Sequence, residues 1–192
     1  MPKVGVLALQ GDFEAHRRAL ESAGADAVEV RTAAGLNEVD ALVIPGGEST
    51  TMLKLIEAEH LFEPLRQFGQ TKPVFGTCAG AILLAREVLS PQQQSLGLVD
   101  LTVERNAYGR QIDSRIVTLH PEPASHLPGN LEAVFIRAPI IRRTGAAVTV
   151  LASYGGHPVL IEQGRHLIAT FHPELTPDAS IHRLFLAKVT QG

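Results

Sequence analysis

The sequence predicts an α/β fold: a doubly wound, mostly parallel sheet with helices on both faces and additional antiparallel strands. Short apolar runs alternate with amphipathic stretches along the first half of the chain, beginning with KVGVLAL (3–9). Such alternation is typical of parallel strands joined by right-handed helical crossovers. In the second half, apolar and β-branched runs follow one another between Gly, Pro and Asn, which favours antiparallel strands that extend the sheet.

Four strands and three helices are predicted in the first half. The strands cover 3–9, 27–31, 39–47 and 73–77. The helices run from an N-cap at Asp12 to Gly24, from Glu48 to about residue 68, and from Cys78 to Leu89. In the second half we expect six strands, at 96–109, 110–120, 131–139, 147–156, 157–164 and 165–174. A last helix is expected at about 178–189.

Composition and charge limit the possible classes of function. The chain has 192 residues, 45% of them apolar, which is enough for a single domain over 1–192 with a core of its own. A net charge of −3 gives no electrostatic basis for binding nucleic acid or an anionic membrane. The one cysteine cannot form an intrachain disulfide, and no apolar run approaches the length of a membrane span. We therefore expect a soluble, cytoplasmic protein.

The segment PVFGTCAGAILLA (73–85) contains that cysteine, Cys78. Gly76-Thr77-Cys78-Ala79-Gly80 has the form G-x-nucleophile-x-G between a predicted strand and a predicted helix, which is the pattern of a nucleophile elbow. N–H dipoles at the start of a helix favour a thiolate, and the Ala79 N–H could donate to an oxyanion. A buried structural cysteine is the alternative, and this segment alone does not decide between them.

A thiolate that attacks an acyl group needs a base. Eight histidines are available, and His172, in ATFHPELT (169–176), has an orienting group beside it. If the chain is extended there, His172 and Glu174 face the same way, and Glu174 could fix the imidazole tautomer. The alternative is a surface turn.

Two glycines follow a predicted strand in VIPGGESTT (43–51). Glycines let the backbone approach a ligand closely, and the N–H of Gly46 or Gly47 could be a second oxyanion donor. The alternative is a simple turn with Ser49 as the cap of the next helix.

Together these motifs resemble those of the class I, triad-type glutamine amidotransferases. The Cys78 turn and the His-Pro-Glu segment are features of that superfamily. Three further segments are similar to the glutaminase subunits of pyridoxal 5′-phosphate synthase: GVLALQGDFEAH, LVIPGGESTTM and VERNAYGRQIDS. The resemblance covers almost the whole chain and implies a flavodoxin-like sheet. It also implies hydrolysis of L-glutamine to L-glutamate and ammonia, which a separate synthase subunit would use for vitamin B6 biosynthesis in a large hetero-oligomer.

The resemblance implies a role for each matched residue. Cys78 would attack the glutamine side-chain amide and form a γ-glutamyl thioester, His172 would move the protons, and Glu174 would orient His172. Backbone N–H groups of Gly47 and Ala79 would form the oxyanion hole. The glutamine site would comprise Gly46, Gly47, Glu48, Arg105, Ile136 and Arg137. No cofactor or metal is implied for this half-reaction.

Arginine suits the α-carboxylate of a free amino acid because it can pair with it bidentately. A surface ion pair is the alternative for Arg105 and for Arg137. Gln10 lies in a loop that, by the resemblance, contacts the synthase partner and helps to set the oxyanion turn. We therefore expect low glutaminase activity in the isolated chain.

Two positions depart from the family pattern. Tyr108 stands where phenylalanine is common, and Ser180 stands where the family pattern leads us to expect an arginine. The second departure puts a helix-surface or interface contact in doubt, and we expect His182 to be a structural or interface residue.

Three other functions remain open. A γ-glutamyl hydrolase or cysteine peptidase would use the same three side chains on a peptide. A non-catalytic subunit could retain the fold, although intact Cys78, His172 and Glu174 argue against it. A thiol redox sensor would lack a resolving cysteine. A metal site is not expected, since no Cys/His cluster has zinc spacing.

Overall fold

The computed structural model describes residues 1–106 and 114–192. Within these ranges the α-helices are α1 Phe13–Ser22, α2 Ala33–Asn37, α3 Ser49–Ala58, α4 Phe62–Thr71, α5 Ala79–Leu84 and α6 Ser180–Gln191. The strands are β1 Lys3–Leu7, β2 Asp26–Val30, β3 Ala41–Ile44, β4 Val74–Thr77, β5 Ala85–Leu89, β6 Val99–Glu104, β7 Ser114–Leu119, β8 Leu131–Ile136, β9 Ile140–Thr144, β10 Thr149–Tyr154, β11 His157–Gln163 and β12 His166–Ala169. Single 3₁₀ turns cover Pro123–Ser125 and Pro173–Leu175.

A seven-stranded central sheet organises the described part of the chain, in the order β10-β11-β12-β4-β3-β1-β2. The five strands from β12 to β2 are parallel, and β10 and β11 add antiparallel pairs at one edge. The predicted α/β class, with a mostly parallel sheet and additional antiparallel strands, is therefore confirmed. Since parallel strands all end at the same edge, the loops after β1, β3, β4 and β12 meet there.

Alternate side chains of the central strands enter two apolar layers. Leu42 and Ile44 of β3 pack in the layer that contains α3, α4 and α5. Val43, between them, packs in the layer that contains α1 and α6. Because both faces of the sheet are covered, every residue of β3, β4 and β12 is buried, and these strands show no alternation of buried and exposed positions.

Two predicted helices end earlier than expected. The helix predicted from Glu48 to about residue 68 is two helices, because Pro64 lacks an N–H and its ring would clash with the carbonyl of His60 in a continuous helix. The helix predicted to reach Leu89 ends at Leu84, and the next five residues pair with β6 as β5. The N–H of Leu96 donates to the Leu83 carbonyl, so tertiary contacts satisfy the end of α5.

The later strands are arranged differently from the expectation that all of them extend the sheet. β10 and β11 do extend it, but β12 returns to its centre beside β4. β5, β6 and β9 form a separate three-stranded sheet, and β7 and β8 form a hairpin. β9 was not predicted. Sequence patterns mark strands but not their partners, since pairing depends on contacts between distant residues.

No helix in 1–106 or 114–192 is long and apolar enough to cross a membrane.

The fit of α5 against β3 depends on Gly80. A Cβ at this position would overlap the carbonyl oxygen of Ile44, which is backbone and cannot move aside. Alanine normally stabilises a helix by about 1 kcal/mol relative to glycine. We predict the opposite sign here: Gly80→Ala lowers the free energy of unfolding by roughly 1–3 kcal/mol, measured by urea denaturation.

Gly129 provides the matched control, because a Cβ there would meet no atom within 4 Å. Gly129→Ala is expected to leave the urea midpoint essentially unchanged. Equal effects of the two substitutions would show that the helix–strand contact does not require glycine.

Candidate active site

Cys78 occupies a sharp turn between β4 and α5. Its backbone has φ 50° and ψ −105°, a conformation that a residue with a side chain rarely adopts and that the surrounding structure must enforce. A Cβ on Gly76 would lie 2.6 Å from the Gly80 carbonyl oxygen, so the glycines on either side of Cys78 are required by space. The turn has the strand-to-helix geometry predicted from the G-x-C-x-G pattern.

His172 and Glu174 follow the end of β12. His172 Nδ1 lies 2.7 Å from Glu174 Oε1, and both residues are buried. The conditional expectation of an extended chain here is wrong: β12 ends at Ala169, and Pro173–Leu175 forms a 3₁₀ turn. The side chains meet because this turn brings Glu174 back against the imidazole, while the His172 N–H is anchored to the Val134 carbonyl at 2.8 Å.

The ends of β4 and β12 bring Cys78 and His172 together. The Cys78 N–H donates to the Ala169 carbonyl at 3.0 Å, which continues the parallel ladder between the two strands. Burial disfavours a charged His172, but hydrogen bonds and charge from Cys78 and Glu174 outweigh burial and raise the pKa of His172 to about 10. The arrangement can therefore hold an imidazolium beside the sulfur at neutral pH.

The Gly46-Gly47 turn lies against these side chains. A Cβ on Gly46 would be 2.6 Å from His172 Cε1 and 3.3 Å from Cys78 Cβ. Gly47 has φ 137°, which favours glycine. Gln10 packs on Gly47 and donates through Nε2 to the Glu48 carbonyl at 2.6 Å. The loop after β1 therefore supports the turn after β3.

A cavity of about 500 Å³ opens above the sulfur. It is lined by Gly47, Glu48, Ser49, Cys78, Ala79, Ile82, Arg105, Asn106, Ile136, Arg137 and His172. All the predicted site residues except Gly46, Glu174 and Gln10 thus share one cavity, and those three contact its lining from behind. A cavity of about 570 Å³ at the other end of the sheet, around Pro2 and Lys188, contains none of them.

Charged side chains form one wall of this cavity. The Glu48 carboxylate accepts hydrogen bonds from the N–H groups of Thr50 and Thr51, so Glu48 and not Ser49 caps α3. Burial raises the pKa of Glu48, but the hydrogen bonds from Thr51 and Thr50 together lower it by more. The net effect is a pKa below the usual value for glutamate. Arg105 Nη2 donates to Thr50 Oγ1 at 2.5 Å, which holds its guanidinium over the cavity. Arg137 is exposed at the rim, with φ 47°.

Three lining residues were not predicted: Ser49, Ile82 and Asn106. Asn106 donates through Nδ2 to the Ser90 carbonyl at 2.9 Å. Its position next to Arg105 in the RNAYGRQ segment could have indicated that it belongs to the site. Residues 107–111 of that segment, including Tyr108, lie outside the described residues.

His182 is fully buried, which excludes the interface role considered for it. Ser180 begins α6 and donates through Oγ to Asp178.

The described residues contain no group of three His, Cys, Asp or Glu side chains able to hold a metal ion.

Glu174→Gln tests the electrostatics of the site. Removing the carboxylate removes one cause of the raised value, so we predict that the pKa of His172 falls below about 10, measured by NMR titration of its ring protons. Because the pKa of His172 is higher in the folded protein than in the unfolded chain, its protonation stabilises the fold. This contribution is present in full below pH about 6.5 and is lost as the pH rises through about 10. An unchanged His172 titration would contradict the assigned role of the carboxylate.

Comparison with known proteins agrees with this geometry. Residues 6–191 match the model of the SNO glutamine amidotransferase family. The pyridoxal 5′-phosphate synthase subunit PdxT of Solibacter usitatus is 64% identical, over 98% of this chain and 100% of that protein, and PdxT of Koribacter versatilis is 56% identical over 99% and 97%. A glutamine amidotransferase crystal structure, 47% identical, superposes with a TM-score of 0.89 over 97% of this chain and 98% of that one. The chain therefore belongs to the SNO glutamine amidotransferase family.

Proposed function

We propose that this chain hydrolyses L-glutamine to L-glutamate and ammonia, as the glutaminase subunit of a pyridoxal 5′-phosphate synthase. The observation that carries the proposal is that Cys78 and His172 line one cavity with arginines on its wall, and that His172 Nδ1 lies 2.7 Å from Glu174 Oε1. Family membership and the names of the relatives support the same activity. The whole chain, 1–192, would act as one glutaminase domain in the cytoplasm.

The first half of the reaction uses the sulfur as nucleophile. The Cys78 thiolate attacks the side-chain amide carbon of glutamine, and the carbonyl oxygen becomes an oxyanion. N–H groups of Gly47 and Ala79 hold this oxygen, a contribution of about 3 kcal/mol per donor in comparable enzymes. The imidazolium of His172 then donates its proton to the departing nitrogen, and ammonia and the γ-glutamyl thioester are formed.

The second half reverses the role of His172. The neutral imidazole takes a proton from water, the hydroxide attacks the thioester carbon, and glutamate leaves as the C–S bond breaks. Glu174 keeps Nδ1 of His172 protonated throughout, so that Nε2 faces the reacting groups. Attack, leaving-group protonation and hydrolysis thus need only side chains, backbone N–H groups and water.

The cavity wall suits a free amino acid. Arg105 and Arg137 supply positive charge for the α-carboxylate, and Glu48 supplies negative charge for the α-ammonium. Gly46 lies too close to His172 for a side chain, so it shapes the site without lining it. Ile136 also lines the cavity, and its carbonyl oxygen lies 3.7 Å from the Cys78 sulfur.

Cys78→Ala tests the nucleophile. With a separate synthase subunit and glutamine, we predict at least about a 1,000-fold loss of glutamate release, measured by coupled glutamate assay. Ammonium chloride should restore pyridoxal phosphate formation by the same mixture, which controls for assembly. Full glutamine-dependent synthesis by Cys78→Ala would indicate a non-catalytic subunit. Preferential cleavage of γ-glutamyl peptides would indicate a hydrolase or peptidase.

Gln10 tests whether the partner activates the site. Gln10 donates to the Glu48 carbonyl beside the oxyanion turn, so a partner that contacts the Gln10 loop could change the shape of that turn. We therefore predict slow hydrolysis by the isolated chain and faster hydrolysis when the synthase subunit is added. Gln10→Ala should reduce this stimulation several-fold, whereas Gln70→Ala, an exposed residue of α4, should not. Equal turnover with and without partner would contradict the proposed activation.

A further inference from the structure

Two buried histidines lie behind Glu174, outside the cavity. His16 of α1 and His182 of α6 have no solvent exposure. His16 Nε2 is 3.3 Å from Glu174 Oε2 and 3.0 Å from Thr77 Oγ1. His16 Nδ1 is 3.0 Å from His182 Nε2. The two oxygens of Glu174 therefore face two different imidazoles, Oε1 toward His172 and Oε2 toward His16.

Glu174 Oε2 has an unusual environment for a carboxylate oxygen. It is buried and accepts no well-aligned hydrogen bond from the described residues. An unpaired buried anionic oxygen is strongly unfavourable, so the nearest donor matters for the stability of the charge. His16 Nε2 lies 3.3 Å from it.

The hydrogen-bond geometry favours one tautomer of His16. If Nε2 carries the proton, its N–H is shared between Thr77 Oγ1 and Glu174 Oε2, and Nδ1 accepts from the Nε2–H of His182. In the other tautomer a nitrogen lone pair faces the carboxylate at 3.3 Å, which is repulsive. The carboxylate therefore selects the Nε2–H form, and His182 reinforces it.

His16 is a neutral donor. Burial lowers the pKa of His16 well below its usual value, and His182 and His172 lower it further. Burial also lowers the pKa of His182 to about 4. A neutral N–H supports the charge of Glu174 without neutralising it, so the carboxylate stays available to the imidazolium of His172.

Aromatic packing fixes the orientation of this pair. The Phe75 ring meets the His16 ring edge-on, with centroids 6.3 Å apart, and the His182 ring at 5.8 Å. Phe75 is fully buried in the central sheet, and its close packing against both rings restricts their rotation. The pair therefore presents Nε2 of His16 to Glu174 in one fixed direction.

We propose that His16 is a positioning residue that acts through Glu174 by holding Oε2, so that Oε1 stays aligned with His172 Nδ1. This inference rests on the proposed glutaminase function. His16 does not line the cavity, so it has no contact with glutamine. Its loss should therefore affect the chemical step and leave glutamine binding unchanged.

The experiment compares His16→Leu, His16→Gln and His16→Asn in the full chain assembled with its synthase subunit. His16→Leu removes the donor, and kcat for glutamate release should fall roughly 10- to 100-fold with KM changed less than about twofold. The Gln side chain can place an N–H near the position of Nε2, whereas the shorter Asn cannot reach it. His16→Gln should therefore recover most of kcat, and His16→Asn should not.

A second readout does not depend on glutamine. The proton on His172 Nδ1, hydrogen-bonded to Glu174, is followed by NMR in the full chain; its resonance should shift toward that of a free imidazole in His16→Leu and be retained in His16→Gln. His166→Leu is the matched control, because His166 is another buried histidine of the sheet whose Nδ1 accepts from the Val74 N–H, far from Glu174. It should lower stability without moving this resonance.

The outcomes are distinct. An unchanged His172 resonance and unchanged kcat in folded His16→Leu would overturn the positioning role. If His16→Leu does not fold, equal kcat for the Gln and Asn variants would overturn it. If the wild-type assembly releases no glutamate from glutamine, the proposed function fails, while the His172 resonance still tests the contact.

Discussion

The hydrogen bond from the Cys78 N–H to the Ala169 carbonyl joins the two halves of the active site. It is the last rung of the parallel β4–β12 ladder, and beyond it both chains leave the sheet. β4 leaves through the Cys78 turn into α5, and β12 leaves toward His172. Because the two exits are adjacent strand ends, the sulfur and the imidazole meet without a long flexible loop, and their separation follows the register of the sheet.

Backbone contacts, more than side-chain contacts, determine how tightly the site is built. Gly76, Gly80 and Gly46 each lie where a Cβ would meet another backbone or the side chain of His172. The strained backbone at Cys78 persists because the close packing around it excludes other conformations of the turn. The same close packing buries Glu174, and hydrogen-bond donors at its oxygens offset the free-energy cost of burying the charge. His172 serves one oxygen, and His16 is placed to serve the other.

The sequence predicted the parts of this site that depend on local pattern. G-x-C-x-G specifies a turn by itself, and His172 and Glu174 are close along the chain, so both features were found. Helix ends were misplaced where a distant strand decides, as at Leu84, where pairing with β6 overrides helix propensity. His16 was passed over because its partner, Glu174, is remote in sequence, and an amphipathic helix gives no sign of which buried polar group it will meet.

The place of β12 in the chain has a consequence for the synthesis of the protein itself. Cys78 and the rest of its turn have been synthesised once α5 has emerged from the ribosome, but β12 and His172 follow much later in the chain. Until then the β4 edge that will receive β12 is unpaired, and His172 is not beside the sulfur. Under the proposed mechanism, the nascent chain thus carries a thiol without its base. If Cys78 is the nucleophile, as we propose, its activation depends on the step that inserts β12 into the central sheet, and a chain that misassembles at this step should not hydrolyse glutamine.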